Sequence, residues 1–176
     1  MATPKLQGLA VKRADQGAIV IKDLFEFLRE IEREFGKSIN KELRKNGYAV
    51  ARLLEQEVKA EAAVVYSGRR ALQAKSVASG LRAVNDRIPT IKLRGSEPFQ
   101  SRTRPNARRR KPVTKADVFF GAEFGGRKPG KKTQQFLRHR GRLGYFFWPT
   151  VRRMKDRIAK EYLDGIDRVV SSFGFK

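Results

Sequence analysis

Residues 116–154 decide the fold and read ADVFFGAEFGGRKPGKKTQQFLRHRGRLGYFFWPTVRRM. This segment holds eight of the 17 aromatic side chains and six of the 15 glycines. Its apolar, β-prone part, Asp117–Phe124, predicts a strand. The glycine-punctuated basic part, Gly125–Gly144, predicts a loop. From Tyr145 the segment becomes aromatic and then amphipathic, which predicts the start of a helix. We expect this strand, loop and helix to form the functional region.

The large apolar side chains of this segment are more numerous than one small core easily hides. We therefore expect them to form either the subunit core or an interface between subunits. The residues concerned are Phe119, Phe124, Phe136, Tyr145, Phe146, Phe147 and Trp148.

The composition limits the class of protein. A chain of 176 residues with 40% hydrophobic content is long enough for one folded domain. A net charge of +22 indicates a polyanionic partner, most simply nucleic acid. A charge kept for solubility, or a surface for an acidic protein, is the alternative. The absence of cysteine excludes disulfides, zinc fingers and thiol catalysis, and a single histidine excludes most histidine-based metal sites. We expect no cofactor.

The chain ends and the hydropathy pattern predict a location and a domain plan. The first residues lack an apolar run of the length used in secretory signals, and no run reaches transmembrane length. These features predict a protein made and kept in a reducing cytosol. Residues 1–20 are expected to be a loose N-terminal arm, and residues 21–176 a single α+β domain.

Apolar spacing predicts most of the helices. Residues 21–65 repeat at three and four, with Gly36 as a break or kink and Asn46-Gly47 as a turn or C-cap. Residues 70–85 predict a shorter helix rich in small residues, expected to lie tight against the sheet. Residues 91–93 predict a short strand, and residues 150–170 a strong amphipathic helix with Pro149 at its first position. The predicted fold is α+β, with N-terminal helices and a C-terminal helix packed on a small antiparallel sheet.

Two basic segments are the candidate binding sites. The proline-interrupted residues 95–115, here called the basic finger, have no helical or strand period and predict an extended hairpin or flexible finger. We expect the finger to face DNA or a protein partner through Arg102, Arg104, Arg108, Arg109, Arg110 and Lys111. The second segment, here called the basic loop, contributes Arg127, Lys128, Lys131, Lys132, Arg138, Arg140 and Arg142. Between Arg102 and Arg157, 18 basic and three acidic residues supply +15 of the net +22, so the charge is strongly asymmetric.

The motifs that could carry catalysis are incomplete. GGRKPGKKT, from Gly125, nearly matches a phosphate-binding P-loop, but Lys132 stands where the magnesium-binding hydroxyl is needed. Asp117 and Glu123, six residues apart on a predicted strand, would share a face, yet a metal-dependent nuclease needs more carboxylates. We expect Glu123 to pair with an arginine of the basic surface, and His139 to be a surface residue. We predict that the protein is not an enzyme.

Three short motifs in order carry a resemblance to a known family. They are FGAEFG ending the predicted strand, QF followed by HRG, and YFFWP before the last helix. The segment from Asp117 to Val170 resembles the neck, or tail-completion, proteins of long-tailed double-stranded DNA bacteriophages and prophages. The basic finger is less typical of that family, so no role is carried onto it.

The resemblance implies a structural virion protein. It implies a small α+β subunit in a homo-oligomeric ring, usually of six, in the connector between portal and tail tube. Such a ring adjoins other neck and tail proteins, such as the head-closure protein and the tail terminator, and surrounds double-stranded DNA in the channel. It implies assembly in the host cytoplasm, a place in the neck of the virion, and no membrane partner. A tail terminator or head-closure protein is the nearest alternative, and a nucleic-acid-binding protein of ribosomal or nucleoid type is the second.

Overall fold

The computed structural model describes residues 11–13, 19–21, 24–65, 69–99, 113–126 and 136–174. Within these ranges the elements, in chain order, are β1 Val11–Arg13, β2 Ile19–Ile21, α1 Leu24–Phe35, α2 Lys37–Val64, α3 Arg69–Ala78, β3 Leu81–Val84, β4 Thr90–Leu93, α4 Lys115–Phe124, a 3-10 turn Gly141–Leu143, and α5 Phe147–Ser172. Helices dominate, and the strands form two-stranded sheets, β1 with β2 and β3 with β4. The predicted α+β class is confirmed.

The chain divides into two compact units. The first comprises Met1–Leu53, Ala83–Thr90 and Arg153–Lys176, and the second comprises Leu54–Arg82 and Ile91–Arg152. Both α2 and α5 contribute residues to each unit. The single domain expected over residues 21–176 stays a prediction. Within the predicted loose arm, β1 and β2 pair antiparallel, with Lys12 opposite Val20.

In the first unit, the predicted break at Gly36 is confirmed. Gly36 has φ +69° and separates α1 from α2, a backbone conformation that glycine adopts without the strain a Cβ would add. The two helices bury apolar faces at the predicted spacing: Leu24, Phe27, Leu28 and Ile31 on α1, and Ile39, Leu43 and Val50 on α2. Burial of these faces, rather than helix propensity, supplies most of the stability of such helices.

The turn predicted at Asn46-Gly47 is wrong, since both residues lie inside α2. A Cβ on Gly47 would stand 2.3 Å from the carbonyl oxygen of Asp86 and 2.8 Å from that of Arg87. The amide of Asn46 donates to the carbonyl oxygen of Tyr162 on α5, at 3.0 Å. The pair therefore serves tertiary contacts, which override the usual preference of Asn-Gly for turns.

The second unit contains a continuous apolar core. α3 packs against α4, and small residues on α3 allow the close approach. The fully buried members of this cluster are Val58, Ala62, Ala74, Val77, Ala78, Leu81, Val118, Ala122 and Phe146.

The helix predicted over residues 70–85 is wrong in its second half. α3 ends at Ala78, and a turn at Ser79 and Gly80 leads into β3. Gly80 is closely covered, because a Cβ there would stand 2.6 Å from the side chain of Lys115 and 3.3 Å from that of Leu93. β3 pairs with β4, which confirms the predicted strand at residues 91–93. The five residues between them suit an antiparallel hairpin.

The strand predicted over Asp117–Phe124 is wrong, because these residues belong to α4. A capping box starts the helix: the Thr114 hydroxyl accepts the N–H of Asp117, and the Asp117 carboxylate accepts the N–H of Thr114 at 2.9 Å. These hydrogen bonds hold the pKa of Asp117 below its usual value. A short apolar run does not distinguish a strand from a buried helix, and the Thr-x-x-Asp start was the missed signal.

The base of the basic finger is an antiparallel contact. Phe99 N–H donates to the carbonyl of Val113 at 2.8 Å, and Lys115 N–H donates to that of Glu97 at 2.9 Å. Lys115 is buried, and its ammonium contacts the Glu97 carboxylate at 2.5 Å and the Ser79 hydroxyl at 3.0 Å. This lysine of the predicted finger is therefore a structural ion-pair partner, which lowers the pKa of Glu97.

The long C-terminal helix predicted over residues 150–170 is confirmed as α5. The helix begins earlier, at Phe147, so Pro149 is its third residue and not its first. The missing N–H of this proline still costs nothing, because the first four N–H groups of a helix have no partner within it.

We predict that Gly47→Ala destabilises the first unit. The new methyl group would meet backbone carbonyls that cannot rotate away, so we expect a loss of about 1–3 kcal/mol in the free energy of unfolding. Helix propensity alone would favour the alanine by about 1 kcal/mol. Urea unfolding of the variant measures the difference.

The matched control is Ala49→Gly, an exposed position two residues along the same helix. That change should cost only the propensity difference of about 1 kcal/mol. A Gly47→Ala protein more stable than the wild type would contradict the close contact with residues 86 and 87.

Candidate nucleic-acid and assembly surface

Of the two predicted basic sites, the structure describes the candidate residues of one segment only, which lies just before α5. The six finger residues from Arg102 to Lys111 lie outside the described residues, as do Arg127, Lys128, Lys131 and Lys132 of the basic loop. The remaining loop arginines, Arg138, Arg140 and Arg142, are all exposed. We call residues 138–142 the arginine segment; its roles stay predictions.

The backbone of the arginine segment is held in place by the second unit. Gly126 N–H donates to the carbonyl of Leu137 at 2.8 Å, and Arg140 N–H donates to that of Phe124 at 2.9 Å. The hydroxyl of Tyr145 donates to the carbonyl of Arg138 at 2.7 Å. The segment is thus tied to the end of α4 and to the residue before α5.

Two guanidinium groups around this segment are themselves in contact with the protein. That of Arg140 stands 5.0 Å from the ring centre of Tyr145, a cation–π distance. That of Arg152, on α5, donates to the carbonyl of Leu143 at 2.9 Å and also to that of Arg142. The ring of His139 accepts the N–H of Gly141 at 3.2 Å, and the residue is exposed as predicted. The arrangement presents three cations on a fixed backbone, which suits contact with phosphates.

Glu123 is the main polar residue of the second unit, and its predicted pairing with an arginine is wrong. The carboxylate is buried on α4 and caps α5. Its Oε2 accepts the N–H groups of Phe146 and Phe147 at 3.2 and 2.9 Å, and its Oε1 accepts that of Trp148 at 2.9 Å. Because these donors are the orphan N–H groups of a helix start, a carboxylate is favourable there.

Burial and hydrogen bonding act in opposite directions on this carboxylate. Burial raises the pKa of Glu123 above the ordinary value, while the N–H groups of Phe147, Trp148 and Phe146 lower it. Burial has the larger effect, so the pKa is raised. Since α4 is a helix, Asp117 and Glu123 do not share a strand face, and Asp117 is engaged in the capping box.

Gly144 makes room for this cap. Its φ is +71°, and a Cβ there would stand 2.0 Å from Oε1 of Glu123. The sequence predicted a loop at Gly144 but gave no signal for the contact. The FGAEFG and GYFFWP motifs therefore meet at one carboxylate, although Glu123 and Gly144 are separated by 20 residues.

The aromatic residues predicted as core or interface divide by burial. Phe146 is fully buried, while Phe119, Phe136, Tyr145 and Phe147 pack partly buried against the core of the second unit. The Phe136 ring lies against Gly121, where a Cβ would be 2.5 Å from it. Phe124 and Trp148 are half-buried.

An exposed aromatic pair remains on α4. Phe120 is 69% exposed, and its ring stacks on that of Phe124 at 6.2 Å between centres. Leu143 and Val113, also in the second unit, are exposed as well. Together with its stacking partner Phe124, Phe120 is a candidate for an interaction surface.

The described residues offer no site for metal chemistry. Across the ranges given above, no group of three His, Asp or Glu side chains could hold a metal ion. The near P-loop after Gly126 lies mostly outside these ranges. No described helix is both long and apolar enough to cross a membrane.

Comparison with known proteins gives no relative. No protein-family model, no curated protein and no solved structure matches the chain.

We predict that Glu123→Gln destabilises the protein by about 1–3 kcal/mol, because an amide cannot accept all three N–H groups and leaves a buried donor unpaired. Urea unfolding measures the loss. Glu34→Gln, at an exposed position, is the control and should change the stability little.

The wild type and the Glu123→Gln variant should also differ in how their stability depends on pH. A raised pKa means that the folded protein binds the proton of Glu123 more tightly than the unfolded chain does. The free energy of unfolding therefore falls as pH rises from the unfolded value, 4.5, through the folded pKa. The Gln variant lacks this component, so the wild-type advantage should shrink as pH rises. An advantage that grows with pH would show that the N–H bonds outweigh burial.

Proposed function

We propose that this chain is a structural protein of the phage neck, forming a ring that joins the DNA-filled head to the tail and surrounds the DNA channel. The observation that carries the proposal is the resemblance of residues 117–170 to neck and tail-completion proteins. Its support in the structure is that two of the three motifs of the resemblance, FGAEFG and YFFWP, meet at the carboxylate of Glu123. These two motifs therefore belong to one local structure, which supports their use as a joint feature of the resemblance.

The proposed ring accounts for the two surface features of the second unit. An exposed aromatic pair on α4 suits burial between copies of the chain, since a second subunit would remove Phe120 from water. Exposed arginines on a fixed backbone suit a surface near DNA, because phosphates require only positive charge at the right distance. We propose a homo-oligomer, with six subunits as the number implied by the resemblance.

The proposed role involves no catalysis. The sequence offers no Ser/His/Asp or Cys/His arrangement from which a catalytic nucleophile and base could be built. Magnesium-dependent cleavage of DNA, or ATP hydrolysis above background by clean protein, would overturn this part of the proposal.

A nucleic-acid-binding protein of ribosomal or nucleoid type is the second candidate, and the net charge of +22 favours it. A ribosomal protein would purify as a monomer and bind RNA tightly. A neck protein would form rings or join particles. A tail terminator or head-closure protein would be distinguished by the layer of the neck that it occupies.

We predict that Phe120→Ala weakens self-association and leaves the fold intact. An exposed side chain contributes little to the subunit, whereas an aromatic anchor in an interface contributes about 2 kcal/mol or more, close to a thirtyfold change in affinity. Sedimentation velocity and native mass spectrometry measure the association, and thermal unfolding checks the fold.

The matched control for this variant is Phe25→Ala, which removes an equally exposed phenyl ring, 64% exposed, from the first unit. We expect it to assemble as the wild type does. Equal assembly by both variants and the wild type would exclude Phe120 from the interface, and a chain that stays monomeric and never enters particles would refute the ring.

We predict that reversing charge in the basic finger, Arg108→Glu with Arg109→Glu and Arg110→Glu, changes DNA retention or ejection while heads and tails still join. The reason is that irregularly spaced arginines suit contact with phosphates rather than with bases. Electron microscopy of assembled particles is the measurement. Separate filled heads and tails would show instead that the finger binds a neighbouring protein.

A further inference from the structure

A second basic surface lies in the first unit, far in sequence from the finger and the basic loop. A groove of about 530 Å³ is lined by the first two turns of α2, with Glu32 of α1 and Asn85 after β3. The α2 residues that line it are Lys37, Asn40, Lys41, Arg44 and Lys45. We call this the α2 groove; its volume is in the range of ligand sites.

The cations of the α2 groove form one stripe. Spacings of four, three and one residue place them on one face of the helix, opposite the buried Ile39 and Leu43. At 1.5 Å per residue, the stripe from Lys37 to Lys45 is about 12 Å long. One DNA strand carries a charge every 3.4 Å along the axis, so the stripe spans about three or four phosphates.

The charges of the groove are only partly neutralised by the protein. Its carboxylate, Glu32, is bonded to Arg87 at 2.9 Å, and Lys45 is bonded to Glu42 at 2.7 Å. Within the part of the chain that the structure describes, Lys37, Lys41 and Arg44 form no ion pair, and all three are exposed. The groove therefore has a net positive charge with three available cations.

The ion pairs of the described residues give no reason for Lys37, Lys41 and Arg44. Lys37 and Lys41, and then Lys41 and Lys45, are like charges four residues apart, which destabilises a helix. The first turn of α2 contains no acidic residue, and lysine there faces the positive end of the helix dipole. Residues that destabilise the subunit in this way are expected at a functional site, so we infer that the stripe binds a ligand.

The polar neighbours of these cations are hydrogen-bond donors. Asn40 is half-buried, and its side-chain oxygen accepts from Arg87 at 3.5 Å, which leaves its N–H₂ group as a donor beside the cations. Asn85 adds a second amide. Cations with amide donors beside them complement the negative charge and the oxygen acceptors of a phosphodiester backbone.

We propose that the α2 groove binds the phosphodiester backbone of nucleic acid, without reading bases. Double-stranded DNA is the proposed form, because the stripe spans about three or four phosphates of one of its strands. The site does not rest on the proposed neck function, because it needs only the first unit of a folded subunit. Its failure is also separable: ring formation is measured by association, and this site by binding of DNA to the subunit.

The test compares two triple variants of equal charge. The groove variant carries Lys37→Gln, Lys41→Gln and Arg44→Gln. The control carries Arg29→Gln, Arg157→Gln and Lys160→Gln, which are exposed cations of the first unit that do not line the groove. Fluorescence anisotropy with a short mixed-sequence duplex is measured across a series of KCl concentrations. Thermal unfolding should show both variants folded.

The expected result is a loss of salt dependence in the groove variant. Three lost phosphate contacts, each worth about 0.9 in the slope of log K against log salt, should lower that slope by about 2.7. The control should lower it by less than about 1. Equal reductions in both variants, or none in the groove variant, would overturn the site.

Two further probes identify the ligand. Inorganic phosphate, titrated into labelled wild-type protein, should shift the amide NMR signals of Lys37, Lys41 and Arg44. The groove substitutions should reduce the affinity for a single-stranded RNA of equal length less than they reduce the affinity for the duplex. If the groove variant no longer binds polyglutamate but still binds DNA, the proposal is overturned in favour of an acidic protein partner.

Discussion

The second unit depends on one buried carboxylate. Glu123 sits near the end of α4 and accepts the first N–H groups of α5, so it fixes the start of one helix from the end of another. A helix start buried without such acceptors would leave its N–H groups unpaired at a cost of about 1–3 kcal/mol each. Gly144 leaves room for the Glu123 carboxylate, and on the same helix α4 the ring of Phe136 lies against Gly121. At Gly121 and Gly144, the ring of Phe136 and the carboxylate of Glu123 therefore occupy the space that a side chain would need.

The helical structure of α4 and the hydrogen bonds at its end determine what the surface of the second unit presents. Because the residues after Gly126 return to the end of α4, Arg138, Arg140 and Arg142 are displayed on a backbone that hydrogen bonds hold. Because α4 is a helix, Phe120 and Phe124 are one turn apart and stack, with Phe120 facing solvent. On a strand, residues 120 and 124 would lie farther apart. The local structure of α4 thus decides whether an exposed aromatic pair exists.

Sequence periodicity predicted what depends on local spacing. The helical face of Leu28, Ile31 and Ile39, the break at Gly36 and the strand at residues 91–93 all follow from short-range patterns. The failures share a cause. Asn46 and Gly47 read as a turn, but their partners are Tyr162, Asp86 and Arg87, distant in sequence. Glu123 read as a surface acid because its partners are backbone groups, which no residue type reveals. Tertiary contacts of this kind override local preference, and a single sequence does not display them.

Charge was predictable as a total but not as a surface. Residues 102–157 contain 18 basic and three acidic residues, which predicted a binding surface there. In the structure, however, Lys115 is buried in an ion pair and Arg152 supports the backbone of the arginine segment. The α2 groove lies outside residues 102–157, which supply most of the net charge. It is visible only because the structure shows which lysines are paired. Under the proposed function, several separate basic surfaces suit a protein that holds nucleic acid of any sequence while the strand moves. Contacts limited to phosphates are each weak and salt-dependent, so the affinity comes from their number. Because each contact is weak, each site releases the strand quickly.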